Sequence, residues 1–324
     1  MTLNPKYIPL TATFGVFFVL YAVASIIFPG FFSLRVFINF FLDNSFLGIA
    51  AVGMTFVILT GGIDLSVGGV MAFSGVLIAT LVEGHNIPPL IAILIVLTFG
   101  TLLGTFQGII IHYFSAPPFI VTLGGMFFAR GLAQIISLES IPIFHPFFIA
   151  FVTKGISLPE GNRIPWLVIL FIVVFLVGLW LAQFSSFGRN VYAIGGSESS
   201  AVLMGLPVAR TKVLTYALSG FLFALAGIVF TMYTSAGYCL TGIGFEMDVI
   251  ASVVIGGTLI TGGSGYMIGT LLGVLIQGII QTFIMFQGTL NSWWTKIAIG
   301  FLLFVFILFQ RLFSRRELYY GGKK

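Results

Sequence analysis

The sequence predicts an all-α integral membrane protein with about ten transmembrane helices, on three observations. Hydrophobic residues fill 59% of the 324 positions and charged residues only 7%, and the mean hydropathy is +1.16. Soluble domains carry roughly 25% charged residues, so a chain this poor in charge does not stay dissolved. Its apolar runs reach or approach the roughly 20 residues that a spanning helix needs. Short alternating segments, the mark of a membrane β-barrel, do not dominate. Residues 1–324 read as one transmembrane domain.

The first apolar run, near 8–28, follows Lys6. It is too long for the apolar part of a signal peptide and lacks a small-residue cleavage pattern, so it reads as the first span. Residues 30–41, with Arg35 and Asn39, read as an interfacial helix. Further spans are expected near 42–61, 64–82, 88–113, 117–137, 165–184, 212–233, 245–261, 266–286 and 293–312.

Lysine and arginine set the orientation. An even number of spans puts both termini on one side, with Lys6, Arg189, Arg210, Lys212, Arg311, Arg315, Arg316, Lys323 and Lys324. The other side holds Arg35, Lys154, Arg163 and Lys296. The bias places both termini in the cytoplasm, with segment 185–212, and turns loop 138–163 outward.

Gly100-Thr101-Leu102-Leu103-Gly104 recurs as Gly269-Thr270-Leu271-Leu272-Gly273, and Gln107-Gly108 recurs as Gln277-Gly278. In the expected order these are the fourth and ninth spans, which run in opposite directions. That arrangement suggests an inverted repeat, a transporter device with the pathway at the repeat interface. Chance recurrence in helices that pack through small residues is the plainer account. Glycine pairs at 61–62, 68–69, 124–125, 256–257 and 262–263 offer close helix approach or helix breaks at membrane depth.

Segment 185–212 is the one long polar stretch on the cytoplasmic side, and it suggests a handle for another protein. Ser197 can cap a short helix, Glu198 favours its first turn, and Gly205 can end it in the left-handed conformation. Gly195-Gly196 would permit a sharp entry, and Ala201 would lie on the face offered to a partner.

Asp64, in Thr60-Gly61-Gly62-Ile63-Asp64-Leu65-Ser66, is the only acid between Asp43 and Glu83. It can cap the following helix, contact substrate or gate the pathway, or lie in a solvated turn. Ser66 beside it and Arg130, inside an apolar run, are the other pathway candidates. Arg130 can line a cavity, pair with an acid such as Glu139 or Asp64, or reach to an interface. Glu246 and Asp248 read as first-turn acids stabilised by the helix dipole. Trp293 and Trp294 beside Lys296 read as interfacial anchors. Cys239, the sole cysteine, reads as a buried spectator. His85, His112 and His145 fit no metal spacing, and no phosphate loop or nucleophile elbow occurs. Neither catalysis, a cofactor nor a metal is expected.

The stretches AVGMTFVILTGGIDLSVG (51–68), Tyr192-Ala193-Ile194-Gly195-Gly196-Ser197 and Val253-Val254-Ile255-Gly256-Gly257-Thr258 with Gly262-Gly263 closely resemble permease subunits of bacterial ATP-binding-cassette importers for monosaccharides, the ribose type. Ile141-Pro142-Ile143-Phe144-His145-Pro146 and Ser292-Trp293-Trp294-Thr295-Lys296-Ile297-Ala298-Ile299-Gly300 most resemble the galactofuranose permeases of that family. Gly69 departs from the family pattern, where another small residue such as serine is common.

The resemblance implies a permease in the bacterial cytoplasmic (inner) membrane. Its partners would be a separate ATPase subunit, a second and different permease subunit and an extracytoplasmic sugar-binding protein; no nucleic acid is implied. Segment 195–206 matches the cytoplasmic helix that docks on the ATPase in such importers. The alternative is an ion-coupled secondary transporter of a small polar solute, which would favour acids or histidines within spans. A membrane enzyme would need a cluster of polar groups that the sequence does not offer.

Overall fold

The computed structural model describes residues 8–291 and 293–321. Lys6, Ser292, Lys323 and Lys324, named above, lie outside the described residues. Helix α1 runs Ile8–Ile27. Helices α2 (Leu34–Asp43) and α3 (Ser45–Leu59) follow one another through Asn44 with a bend of 55°. The expected interfacial helix and second span are therefore one bent pair. Gly61 then takes φ +80, a left-handed turn open to glycine. Helix α4 (Val67–Ala79) starts only after Ser66 and ends in a π-helical turn, Thr80–Gly84.

Helices α5 (Pro89–Tyr113) and α6 (Pro118–Ile136) each open on a proline, which needs no helical donor there. Loop 138–163, expected to face outward, is more ordered than its sequence announces. It holds β1 (Ile141–Pro142), α7 (Pro146–Thr153), β2 (Gly155–Ser157) and β3 (Arg163–Pro165). Strands β2 and β3 form an antiparallel hairpin. Glu83 Oε1 accepts from Phe144 N (2.7 Å) and His145 N (2.9 Å), pinning the turn that leads into α7.

Helix α8 (Trp166–Phe184) leads to α9 (Ser186–Gly196), α10 (Glu198–Leu203) and the long α11 (Val208–Thr234). Strand β4 (Ala236–Gly237) pairs with β1, so two small ladders amend the all-α expectation. Helices α12 (Phe245–Ile255), α13 (Met267–Gln287) and α14 (Trp293–Gly321) complete the fold.

Among the described residues, seven helices are individually long and apolar enough to cross a membrane, or eight with the bent α2–α3 pair taken as one span. This departs from the expected ten. The segment expected to span 245–261 contains only the 11 residues of α12. At 1.5 Å per residue it is about 17 Å long, roughly half of a 30 Å hydrocarbon core. Its run stays apolar past Ile255, but Gly257 turns the chain at φ +90.

Helix α11 is the centre of the packing, against α3, α4 and α5. Helix α3 is buried along almost its whole length. The outer helices expose large apolar side chains such as Phe18, Leu94, Phe128 and Leu176, as a lipid-facing surface does. Close approach between α5 and α11 rests on missing side chains. A Cβ at Gly100 would lie 2.5 Å from the Gly220 carbonyl oxygen, and one at Gly104 would lie 2.1 Å from that of Tyr216. Lipid tails are as apolar as leucine, so such packing, rather than hydrophobic exclusion, holds membrane helices together.

Candidate functional site

Two regions hold the residues singled out from the sequence. The first is the 185–212 segment. Ser185 Oγ accepts from Gly188 N (3.0 Å) and starts α9. Ser197 Oγ accepts from Ser200 N (3.3 Å) and starts α10. Gly205 has φ +73, and the amides of Gly205 and Leu206 bond back to Val202 and Ala201. Both Glu198 carboxylate oxygens lie 2.7 Å from Lys212 Nζ, so an ion pair ties α10 to α11.

Two expectations about this segment change. Gly195-Gly196 is not a sharp entry, because α9 runs through both and the chain turns at Ser197. Gly195 serves close approach instead: a Cβ there would lie 1.8 Å from Leu59 O and 2.5 Å from Gly263 N. Ala201 is fully buried, packed with Ile194, Leu206 and Val208, and offers nothing to a partner. The outward face is Val202, Leu203 and Met204, with Leu203 88% exposed. Three consecutive exposed apolar residues in a polar segment were the signal that could have found it.

Below α9, the glycine turns at 61–62 and 262–263 meet. Gly263 N donates to Leu59 O (2.9 Å), and Tyr192 Oη donates to Gly265 O (2.9 Å). Burial pushes the Tyr192 hydroxyl up to about 12, with Tyr266 nearby adding to it. It is therefore a fixed donor at any physiological pH.

The second region surrounds Asp64, which is fully buried in the linker between α3 and α4. Its Oδ1 accepts from Ser66 N (2.9 Å) and Ser66 Oγ (2.6 Å), and its Oδ2 accepts from Ser219 Oγ on α11 (2.9 Å). Asp64 is two residues before the helix start that Ser66 occupies, so it braces the entry turn rather than sitting at the cap position. Thr122 on α6 completes the bracing, accepting from Leu65 N (3.1 Å). Ser219 and Thr122 escaped the sequence reading because both reach the turn from distant helices.

Arg130 is not brought to Asp64. It lies eight residues beyond Thr122, about 12 Å along α6. Its Nη1 donates to the carbonyls of Cys239 (3.0 Å) and Thr241 (3.1 Å), and it forms no ion pair with Glu139 or Asp64. Arg130 thus fastens α6 to the loop after β4. Cys239 is buried there.

This arrangement, a buried helical scaffold with an ordered polar segment outside it, matches a known class. Residues 36–307 match the family model described as branched-chain amino acid transport system / permease component, and the chain belongs to that family. It is a permease subunit of the ATP-binding-cassette type, a multi-pass inner-membrane transport component and not an enzyme.

Its relatives narrow the type to the ribose branch. The chain is 53% identical over 306 residues to the inner membrane ABC transporter permease protein YjfF of Escherichia coli K12, covering 94% of this chain and 92% of the relative. It is 41% identical to the fructose import permease protein FruG of Bifidobacterium longum, covering 95% and 92%. It is 36% identical to the ribose import permease protein RbsC of Haemophilus influenzae, covering 93% and 92%. No solved structure gives a significant match.

Proposed function

We propose that this subunit forms the translocation pathway for a monosaccharide, galactofuranose. An extracytoplasmic binding protein delivers the sugar, and a separate ATPase chain docked on α9–α10 drives transport. A second, different permease subunit completes the pathway. The observation that carries this reading is the construction of α10. One face is locked by Ala201 and the Glu198–Lys212 pair, and the other presents Val202, Leu203 and Met204 to a partner. Motion imposed there reaches α11 through Lys212 and Val208, and α11 carries Ser219 to the Asp64 turn. Asp64, Ser66 and Ser219 then act as a brace that gates the pathway.

The relatives named for ribose and fructose import support a monosaccharide as cargo. The resemblance at 141–146 and 292–300 supports galactofuranose. In the framework both termini lie in the cytoplasm, and α5 and α13 are corresponding members of an inverted repeat.

The test is reconstitution of the complete transporter in liposomes, with uptake of galactofuranose, ribose and fructose measured side by side. Galactofuranose is expected to be preferred. Leu203→Asp is expected to cut ATPase co-purification about tenfold or more, as removal of a central apolar anchor does, while membrane insertion persists. Ala201→Arg is a poorer probe, because it disrupts α10 from within. Full assembly and uptake in Leu203→Asp would remove α10 from the mechanism.

A further inference from the structure

A cavity of about 390 Å³ lies between α3, α12, α13 and α14, away from both regions described above. Its size falls in the range of roughly 300–1,000 Å³ that small-molecule sites occupy. Asn44 and Gln277 line it and are 4% and 3% exposed. Each uses its amide nitrogen inside the protein: Asn44 Nδ2 donates to Phe40 O (3.0 Å) and Gln277 Nε2 to Asp248 O (2.9 Å). Their amide oxygens accept no hydrogen bond among the described residues.

Gln281 stands one turn beyond Gln277 on the same face of α13, and Thr295 faces it from α14. The ion pair of Asp248 and Lys296 lies at the rim. A carboxylate neutralised by an ammonium leaves the site without net charge. Two amide oxygens of otherwise buried side chains, a further amide and a hydroxyl then suit a solute rich in hydroxyl groups, each of which needs an acceptor and a donor. A charged solute would break the ion pair.

We infer that this cavity is a binding station for an uncharged monosaccharide, with Asn44, Gln277, Gln281 and Thr295 contacting its hydroxyls and the Asp248–Lys296 pair closing its mouth. The inference rests on the sugar-import reading, and it assigns the contacts which that reading lacks. By the basic-residue bias the cavity opens at the outer end of α13, where a binding protein delivers its cargo.

The experiment uses the complete transporter in liposomes. Gln281→Leu and Thr295→Val each remove a polar group that has no side-chain hydrogen bond among the described residues. Each is expected to raise the KM for uptake about fivefold to tenfold, the change that one lost hydrogen bond produces, with kcat retained. As Cys239 is the sole cysteine, Gln281→Cys on a Cys239→Ala background gives this chain one thiol. A membrane-impermeant thiosulfonate should label it, read on this chain's gel band. Galactofuranose, ribose or fructose should slow labelling if, and only if, the transporter imports it.

Unchanged KM in both variants, or labelling indifferent to the sugar that the transporter does import, would overturn the inference. Import of ribose or fructose alone would overturn the choice of galactofuranose, and the cavity would then be judged by protection with that sugar. Import of none of the three would sink both readings.

Discussion

The stripes at 100–108 on α5 and 269–278 on α13 share their wording and differ in what they touch. On α5, Gly100 and Gly104 face Gly220 and Tyr216 of α11, backbone against backbone over a long contact. On α13, Gly269 and Gly273 face Gly256 and Ser252 at the end of the short α12, where the chain turns away. The glutamines diverge as well. Gln107 is buried beside Gly125, and neither end of its amide finds a partner among the described residues. Gln277 bonds the Asp248 carbonyl and lines a cavity of mixed polar and apolar side chains. The first stripe thus packs chiefly against α11, with Gln107 at an apolar cavity beside α6, and the second packs on α12, with Gln277 at the cavity that Asp248 and Lys296 border; the partner helix differs, and Gln277 stands one residue further from its glycines than Gln107 does.

The comparison breaks most sharply at the glycines. Gly104→Val would drive a branched side chain into the Tyr216 carbonyl, with a continuous 27-residue α11 behind it. Overpacking of this kind costs roughly 1–3 kcal/mol or more, and the variant is expected to vanish from the membrane fraction. Gly273→Val meets Ser252 O at a helix end with a glycine turn behind it, and is expected to insert and lose transport. Equal protein levels for the two, by immunoblot, would erase the distinction between the two stripes.

The acids beside each stripe give the next test. Asp64 Oδ2 faces Ser219, which neighbours Gly220 in the α11 contact, and Ser219 Oγ also lies 2.9 Å from Tyr216 O. In Asp64→Asn the new amide can donate to Ser219 Oγ, which keeps its own bond to Tyr216. That variant is expected to retain substantial transport. Asp64→Leu strands the Ser66 amide, a loss of roughly 1–3 kcal/mol, and is expected to lose folded protein. Asp248→Asn, by contrast, is expected to fold normally and raise the KM. If Asn at position 64 abolishes transport at normal protein levels, the charge rather than the brace is required.

A smaller effect is expected from the glutamines. Gln107→Leu removes a buried amide without a partner and is expected to raise the thermal midpoint in detergent slightly. Gln277→Leu loses one hydrogen bond, about 1 kcal/mol, and is expected to lower it. Matching shifts would mean that the two sites are alike. Smallest is a labelling pattern with no change in activity. A cysteine at Lys154 should react in intact cells and one at Glu198 should not; the reverse would turn the cavity mouth inward.

How far the fold was legible follows the same divide. Long apolar runs carried α1, α5, α6, α8, α11 and α13, because length and hydropathy decide membrane insertion. The shortness of α12 was hidden, since Gly256-Gly257 interrupts the helix without interrupting the apolar run. Helix α7 was hidden too, because the turn into it is pinned by Glu83, 61 residues away from Phe144, and the β1–β4 ladder joins segments far apart in the chain. In segment 185–212 the caps Ser197 and Gly205 were legible as local chemistry. The burial of Ala201 was not, as six residues of α10 are too few to show a face. Asp64 stood out by its rarity, but Ser219, 155 residues off, did not.

The C-terminus of α9 touches two turns at once, Leu59 from the first half of the chain and Gly263 from the second, and those turns are themselves bonded together. A body seated on a joint shared by two beams cannot tilt one without the other. If the ATPase docks on this segment as proposed, a push there would be divided between α3 and the α12–α13 turn at the same moment, and the two halves would yield in step. Contact, rather than a sequence of separate signals, would then set the timing between them.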